Sequence, residues 1–433
     1  MSNDPNLSAS IRILDLDLAR PAQQILSGKK SPIVNKVTTP QKGSLCANIF
    51  NELARRATVN REELHADYTH TIFTNGEHKI VYDKTVAGRD VFVVLTFPAL
   101  DETKISKRQF RLATAFLTNN YVFLAKQAAD AARRAGAAKI HLLIPNLTYA
   151  RQDQSHKERG PITAAMVVRE LEQYYDKIVS LHLHSAAIEG MAEAGKVINI
   201  SPNEIWGPDI VLRDPETFEP ISPDQLTLKK VNQLFSRLCF GSPDSGGLKN
   251  TRDLAKYCKT FAATLLGVSE DKIRDIRIAV IDKRRPGANQ SEVMNVLGKE
   301  NVRKRRLLLI DDMTDTAGTL VHSADAYMKV GALTVEGRIT HSYCLGDALQ
   351  ITKKSKLSRF VTTNSMALRP SVLRHPKISA LDIAPAMVQV IADLVTKPEP
   401  NVHFHARNLG APEMRTKLGR YVTAMMPRMP ANG

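Results

Sequence analysis

The chain of 433 residues holds only four cysteines, Cys46, Cys239, Cys258 and Cys344, too widely spaced to spell a zinc pattern. Such spacing gives no disulfide framework and fits a reducing compartment. Aromatic residues are scarce, at 6% with a single tryptophan, and the basic residues are scattered along the chain. Bulk nucleic-acid binding wants Lys and Arg gathered with exposed rings on one element, so it is disfavoured. No apolar stretch approaches the roughly 18 residues that a membrane-spanning helix needs. The opening Met1-Ser-Asn-Asp-Pro5 lacks a basic region followed by an apolar run, so no secretory leader is expected. Heptads and short-period repeats are missing too.

What is present is a globular composition, 43% hydrophobic and 24% charged. The length exceeds one ordinary core and suits two domains with additions. A net charge of +16 points to anionic partners, nucleotide substrates among them.

Residues 1–39 read as an arm with one alternating segment, Ile11 to Leu18, fit for a strand. Strands and helices then alternate. Asp90-Val-Phe-Val-Val-Leu95, Lys139–Ile144 and Lys177–Leu183 are strands. A long helix runs from about Lys107 to a stop at Gly136, and a shorter one from Ile162 to Gln173. Later come a helix near Leu248–Gly267, strands at Arg277–Ile281 and Arg306–Ile310, and a helix from about Gly318 to Gly331. Strands near Thr334–Thr340 and Arg359–Thr363 follow. The expected fold is α/β, with mostly parallel sheets flanked by helices. Ligands should then sit beyond the carboxyl ends of the strands. The stretch from 206 to 240, rich in Pro and Asp, reads as an insertion or an elaborated junction. Trp206 at its start is either core or ligand-facing. Residues 385–433 read as a returning segment and a basic tail.

The most informative segment is Arg306-Leu-Leu-Leu-Ile-Asp-Asp-Met-Thr-Asp-Thr-Ala-Gly-Thr319. A buried strand ends in Asp311 and Asp312, whose carboxylates can accept from vicinal ribose hydroxyls. Asp315, Thr316, Ala317, Gly318 and Thr319 then turn into a helix. Unpaired N–H groups and a positive dipole end make that turn a ready phosphate cradle.

This string resembles the phosphoribosyl pyrophosphate loop of type I phosphoribosyltransferases, and its methionine and spacing resemble the ribose-phosphate pyrophosphokinase family in particular. Four further segments agree in order: Phe73-Thr-Asn-Gly-Glu77, Tyr149-Ala-Arg-Gln-Asp153 continuing through Lys157-Glu-Arg-Gly-Pro-Ile162, Ser242-Pro-Asp-Ser-Gly-Gly247, and Lys283-Arg-Arg285 with Ala288-Asn289. Thr340-His341 and Leu381-Asp-Ile383 also fall in register. The likeness covers roughly Phe73 to His405.

The resemblance implies two phosphoribosyltransferase-like domains, about 40–200 and 201–384, with the active site at their interface. It implies transfer of the β,γ-diphosphoryl group of MgATP to the 1-hydroxyl of ribose 5-phosphate. Asp311 and Asp312 would hold the ribose hydroxyls, and Asp315 to Thr319 the 5′-phosphate. Lys283 and Arg285 would close over the transferring group, Arg285 also reaching the ribose phosphate. Phe73, Asn75, Gly76 and Glu77 would contact adenine, as a loop lent by a neighbouring subunit. Arg151, Gln152 and Asp153 would contact ATP, and His184 and Asp244 would hold Mg²⁺. A cytoplasmic homo-oligomer built from dimers, commonly a hexamer, is implied, without nucleic acid or membrane. The family's usual Asp-Leu-His reads His182-Leu-His184 here, which alters one metal contact. Two alternatives stand beside this reading: a larger acceptor such as ADP-ribose, and a non-catalytic regulatory paralogue.

Overall fold

A computed structural model of the chain describes residues 10–16, 33–37, 39, 44–56, 64–97, 106–155, 159–284 and 293–396. The chain divides into two compact units. The first comprises Met1–Ile200, Ser365–Arg369 and Ala384–Val402, and the second Ser201–Asn364, Pro370–Ile383 and His403–Gly433.

The first unit is built on β1 (Ile11–Asp15), β5 (Asp90–Val94), β6 (Lys139–Leu143), β7 (Lys177–Leu181) and β8 (Val197–Ile200), a parallel sheet in the order β1-β5-β6-β7-β8. Its strands are near-continuous apolar runs; Val91 to Leu95 are wholly buried. That is what a parallel sheet covered on both faces requires. The sequence marks β5, β6 and β7, each of which stops a residue or two before the expected end; β1 stops at Asp15 rather than Leu18, and β8 was not expected. β2 (Ile33–Val37), β3 (Tyr68–Ile72) and β4 (His78–Tyr82) form a separate antiparallel sheet. The expected arm thus supplies two strands, β1 and β2. Helix α1 (Leu45–Arg56) packs on the returning helix Ala384–Thr396, and Arg56 donates to the Pro385 carbonyl at 3.2 Å. Helix α2 is Lys107–Arg134, followed by Gly136 at φ 83°, and α3 is Thr163–Leu171.

The second unit carries a sheet of β9 (Leu238–Ser242), β10 (Arg277–Arg284), β11 (Val293–Leu297), β12 (Arg306–Thr314), β13 (Thr334–Ser342), β14 (Leu357–Thr363) and β15 (Ile378–Leu381). Their order is β11-β10-β9-β12-β13-β14-β15, parallel except for the β10–β11 hairpin. The stretch from 206 to 240, expected to interrupt the pattern, holds most of helix α4 (Asn203–Val211), helix α5 (Leu228–Arg237) and the start of interior strand β9. A side chain at Gly241 of β9 would fall 2.9 Å from Leu307 and 3.0 Å from Tyr327. Glycine there lets Tyr327 lie close and donate to the Ser242 carbonyl at 2.8 Å. Trp206 is core: it is fully buried, and its Nε1 donates to Thr340 Oγ1 at 3.3 Å. Helix α6 is Leu248–Leu266, α7 is Lys299–Val302 and α8 is Gly318–Lys329.

Candidate functional site

Strand β12 runs further than its apolar residues. Its pairing with β13 continues through Asp311↔Ile339 to Thr314↔Ser342, so both acids lie within the strand rather than after it. Asp312 is 9% exposed and Asp311 is part-buried. Each carboxylate accepts from the next backbone N–H, Asp311 from Asp312 at 3.0 Å and Asp312 from Met313 at 2.7 Å. Burial pushes the Asp311 carboxyl well above its ordinary range. The charge and hydrogen bonding of Asp312 and the more weakly felt charge of Asp244 push the same way, against the Asp312 N–H. Asp244 is thus near enough for Asp311 to feel its charge.

Asp244 is held by a tight turn after β9. Ser242 Oγ donates to the Asp244 carbonyl at 2.6 Å, and Gly247 N–H donates to Asp244 Oδ1 at 3.2 Å. A Cβ at Gly247 would stand 2.5 Å from Ser242 Oγ, so a side chain there would displace the hydroxyl that holds the turn.

After β12 the backbone is pinned on both sides. Ala317 N–H donates to Thr314 Oγ1 at 3.1 Å, and Leu345 N–H donates to the Asp315 carbonyl at 2.7 Å. Ala317 is buried with φ 61°, a left-handed conformation that is strained for alanine. No side chain caps helix α8, so the first-turn N–H groups of Gly318, Thr319 and Leu320 have no intrahelical acceptor. Thr316 and Thr319 are exposed. A Cβ on Gly318 would meet only Thr316 Oγ1 at 3.6 Å, an ordinary contact. Packing within the chain does not demand glycine there; its bare backbone leaves the approach from solvent open.

Lys283 pairs with Met294 across the β10–β11 hairpin. Arg285, Ala288 and Asn289 lie outside the described residues.

In the first unit, Phe73 to Glu77 form the turn of the β3–β4 hairpin. Phe73 N–H donates to the Glu77 carbonyl at 2.8 Å, Gly76 has φ 86°, and Asn75 Oδ1 accepts from Glu77 N–H at 3.1 Å. All of them are exposed, Phe73 by 41%, so its ring is not core. Arg151, Gln152 and Asp153 follow β6, Arg151 exposed and Gln152 anchored to α3 by Thr163 Oγ1 at 2.6 Å. After β7, His182 is buried at 4% exposure with φ 49°, while His184 is exposed. Of the two imidazoles, only His184 faces solvent.

Four residues without glycine's freedom take positive φ just beyond the carboxyl ends of parallel strands: Tyr149 after β6, His182 after β7, Ala317 after β12 and Cys344 after β13. Backbone strain gathers at functional sites, and these are the strand ends where α/β sheets bind ligands. The strain at Tyr149 and Cys344 and the Leu345 clamp on Asp315 left no mark in the sequence pattern. Among the described residues no three His, Cys, Asp or Glu side chains group as a metal cage, and no helix is long and apolar enough to cross a membrane.

Residues 42–174 match the N-terminal domain of ribose phosphate pyrophosphokinase, and residues 275–399 match the phosphoribosyl synthetase-associated domain. The ribose-phosphate pyrophosphokinase of Helicobacter hepaticus is 32% identical over 84% of this chain and 97% of its own. That of Corynebacterium ammoniagenes is 30% identical over 77% of this chain and 87% of its own. Among solved structures, phosphoribosylpyrophosphate synthetase from Mycobacterium smegmatis superposes with a TM-score of 0.61 at 23% identity. That superposition covers 89% of this chain and 99% of the other.

Proposed function

Since the chain belongs to the ribose-phosphate pyrophosphokinase family, we propose how its own residues share the work of that reaction. The chain is an ATP-dependent ribose-phosphate diphosphokinase. It transfers the β,γ-diphosphoryl group of ATP to the 1-hydroxyl of ribose 5-phosphate, giving phosphoribosyl pyrophosphate and AMP. Little covalent help is needed; positioning and charge neutralisation carry such transfers.

The observation that carries the assignment is the adjacent pair Asp311 and Asp312 near the end of β12, followed by the uncapped start of α8. Asp311 and Asp312 accept hydrogen bonds from the ribose hydroxyls. Asp315 to Thr319 enclose the 5′-phosphate, with backbone N–H groups as donors and the helix dipole as a favourable field. Lys283 and Arg285 neutralise the charge on the transferring group. Phe73, Asn75, Gly76 and Glu77 take the adenine, and Arg151, Gln152 and Asp153 the ATP chain, with His184 beside them.

The family works with a divalent cation, and we assign Mg²⁺. The carboxylate oxygens of Asp244 suit a hard cation, whose charge would ease the repulsion that Asp311 feels. Phosphate oxygens and water would complete its shell, with His184 as the partner of Asp244, and the chemistry supplied would be neutralisation of the diphosphoryl charge. The exposed Phe73–Glu77 hairpin is suited to serve a neighbouring copy in a homo-oligomer built from dimers, commonly a hexamer. The expected compartment is the cytoplasm.

The test is AMP release from MgATP with ribose 5-phosphate, with ADP-ribose, or with no acceptor. AMP with ribose 5-phosphate, together with a product of the mass of phosphoribosyl pyrophosphate, upholds the assignment. AMP only with ADP-ribose moves the acceptor to the larger class. No AMP with any acceptor, in Mg²⁺ or Mn²⁺, makes the chain a regulatory paralogue.

A further inference from the structure

The turn Phe73–Glu77 is exposed, yet the strands that carry it cover a polar cluster that has no part in the roles proposed above. Alternation puts Tyr68, His70 and Ile72 of β3 on the covered face of the small sheet. Asn35 of β2 and Ile80 of β4 stand opposite His70 on either side. His70 is 1% exposed. Its Nε2 lies 2.9 Å from His78 Nδ1, so one imidazole donates to the other. The two rings are stacked, with centroids 5.1 Å apart and planes 26° from parallel. His78 directly follows Glu77 and opens β4.

Helix α2 closes over this pair. Gln127 Nε2 donates to the His78 carbonyl at 2.8 Å, and the Tyr82 hydroxyl donates to the Ala128 carbonyl at 3.2 Å. The Phe116 ring lies 6.4 Å from that of His78. His78 is therefore gripped twice, by its ring and by its carbonyl. The hydrogen bonds of the turn itself are all internal: Phe73 N–H to Glu77, Gly76 N–H to Phe73 and Glu77 N–H to Asn75. Its angle to the body is thus set where β4 begins.

The cluster is expensive to keep. Asn35 Nδ2, His70 Nδ1, His78 Nε2 and Gln127 Oε1 are buried without a hydrogen-bond partner, and each such group opposes folding. Burial holds both imidazoles below their ordinary range, His70 at about 4 with the charge of His78 adding to the effect. Both are neutral at neutral pH, and the bond between them is not an ion pair. An apolar pair in their place would leave fewer polar atoms unpaired. What it would lack is direction, because apolar contact is non-directional whereas a hydrogen bond fixes distance and angle.

We propose that the His70–His78 pair, gripped by Gln127, is a positioning element for ATP: it sets the angle at which the turn Phe73–Glu77 is offered to the adenine. Neither imidazole touches the nucleotide. The proposal rests on the adenine reading of that turn.

Steady-state kinetics of the full chain tests it, with ATP and ribose 5-phosphate varied in turn, in wild type, Phe73→Ala, His78→Leu and His78→Asn. In His78→Leu the KM for ATP should rise about tenfold, while that for ribose 5-phosphate stays within about twofold. Asparagine sets an amide atom where Nδ1 stood and can restore the bond to His70, so His78→Asn should bring the KM for ATP back to within about threefold of wild type. A merely structural role predicts the reverse order, since asparagine is polar and a poor strand former. Should His78→Leu not fold, Gln127→Met removes the grip on the His78 carbonyl and keeps a good helix former. It should show the same one-sided rise, by about threefold. A rise with Phe73→Ala but with neither His78→Leu nor Gln127→Met overturns the proposal and leaves the adenine reading standing. No rise with Phe73→Ala removes the turn from the ATP site and the proposal with it. Equal rises in both KM values, or His78→Asn no better than His78→Leu, overturn it as well.

Discussion

At one end of β12, Asp311 and Asp312 crowd with Asp244 around a part-open tip; deep in the same sheet, Asp209 and Glu336 are enclosed with Arg213 and Arg338. The enclosed acid Asp209 is matched: despite burial, the two guanidiniums hold its carboxyl well below the usual range. At the tip, Asp311 is pushed the other way, by burial first and then by Asp312. An ion pair locks α4 onto β13, whereas the tip sets a carboxyl pushed towards its neutral form beside a strained alanine and an uncapped helix. The same contrast separates the hairpin turn at Phe73, exposed and polar, from Trp206, which is sealed in the core.

Breaking the matched cluster should give the largest effect on folding. Arg338→Ala leaves Asp209 and Glu336 buried with one guanidinium fewer, a loss of about 3–5 kcal/mol in stability. Turnover per folded molecule should stay close to wild type, and denaturant unfolding with an active-site count checks both. Unchanged stability would mean that the cluster is not matched by its own charges.

Lys283→Ala tests the charge brought over the transferring group. Turnover should drop about 10²-fold, while KM for both substrates moves by less than about threefold. Steady-state kinetics decides it; unchanged turnover removes Lys283 from the catalytic role.

Asp311→Asn sharpens the contrast most finely, because it should trade activity for stability. The folded state raises the Asp311 pKa, so ionisation costs stability as pH rises above the unfolded value near 4. At neutral pH the variant should be more stable by about 1 kcal/mol, a gain of roughly 2–4 °C in melting temperature. The gain should vanish below about pH 4, where wild type is protonated in both states. Melting curves across pH read it, and a loss at pH 7 would contradict the assigned cause.

The tip of β12 was legible because it stacks several local rules in one string: a buried run, paired acids, a glycine and a helix start. Even so, the strand's true end was not, since pairing with β13 carries it on through Thr314. The 206–240 stretch misled for a physical reason. Pro208, Pro215, Pro220 and Pro223 punctuate it, and α4 is buried all round, so it shows no amphipathic period. Interior strand β9 is only Leu-Cys-Phe-Gly-Ser, too short an apolar run to stand out. β3 hid its pattern too, because the inward-facing His70 counts as polar in sequence yet is buried. His182 stands where the resembled family has Asp, and nothing in the sequence signalled that this imidazole is buried at 4% exposure.

The account's central claim is that the loop after β12 holds the sugar phosphate and does not hold the nucleotide. Equilibrium titration of Asp315→Ala with ribose 5-phosphate and, separately, with MgATP tests it directly. The claim predicts that affinity for ribose 5-phosphate falls at least about 100-fold, or some 2.7 kcal/mol, while MgATP affinity stays within about threefold. Equal loss of both ligands, or full retention of ribose 5-phosphate binding, would contradict it.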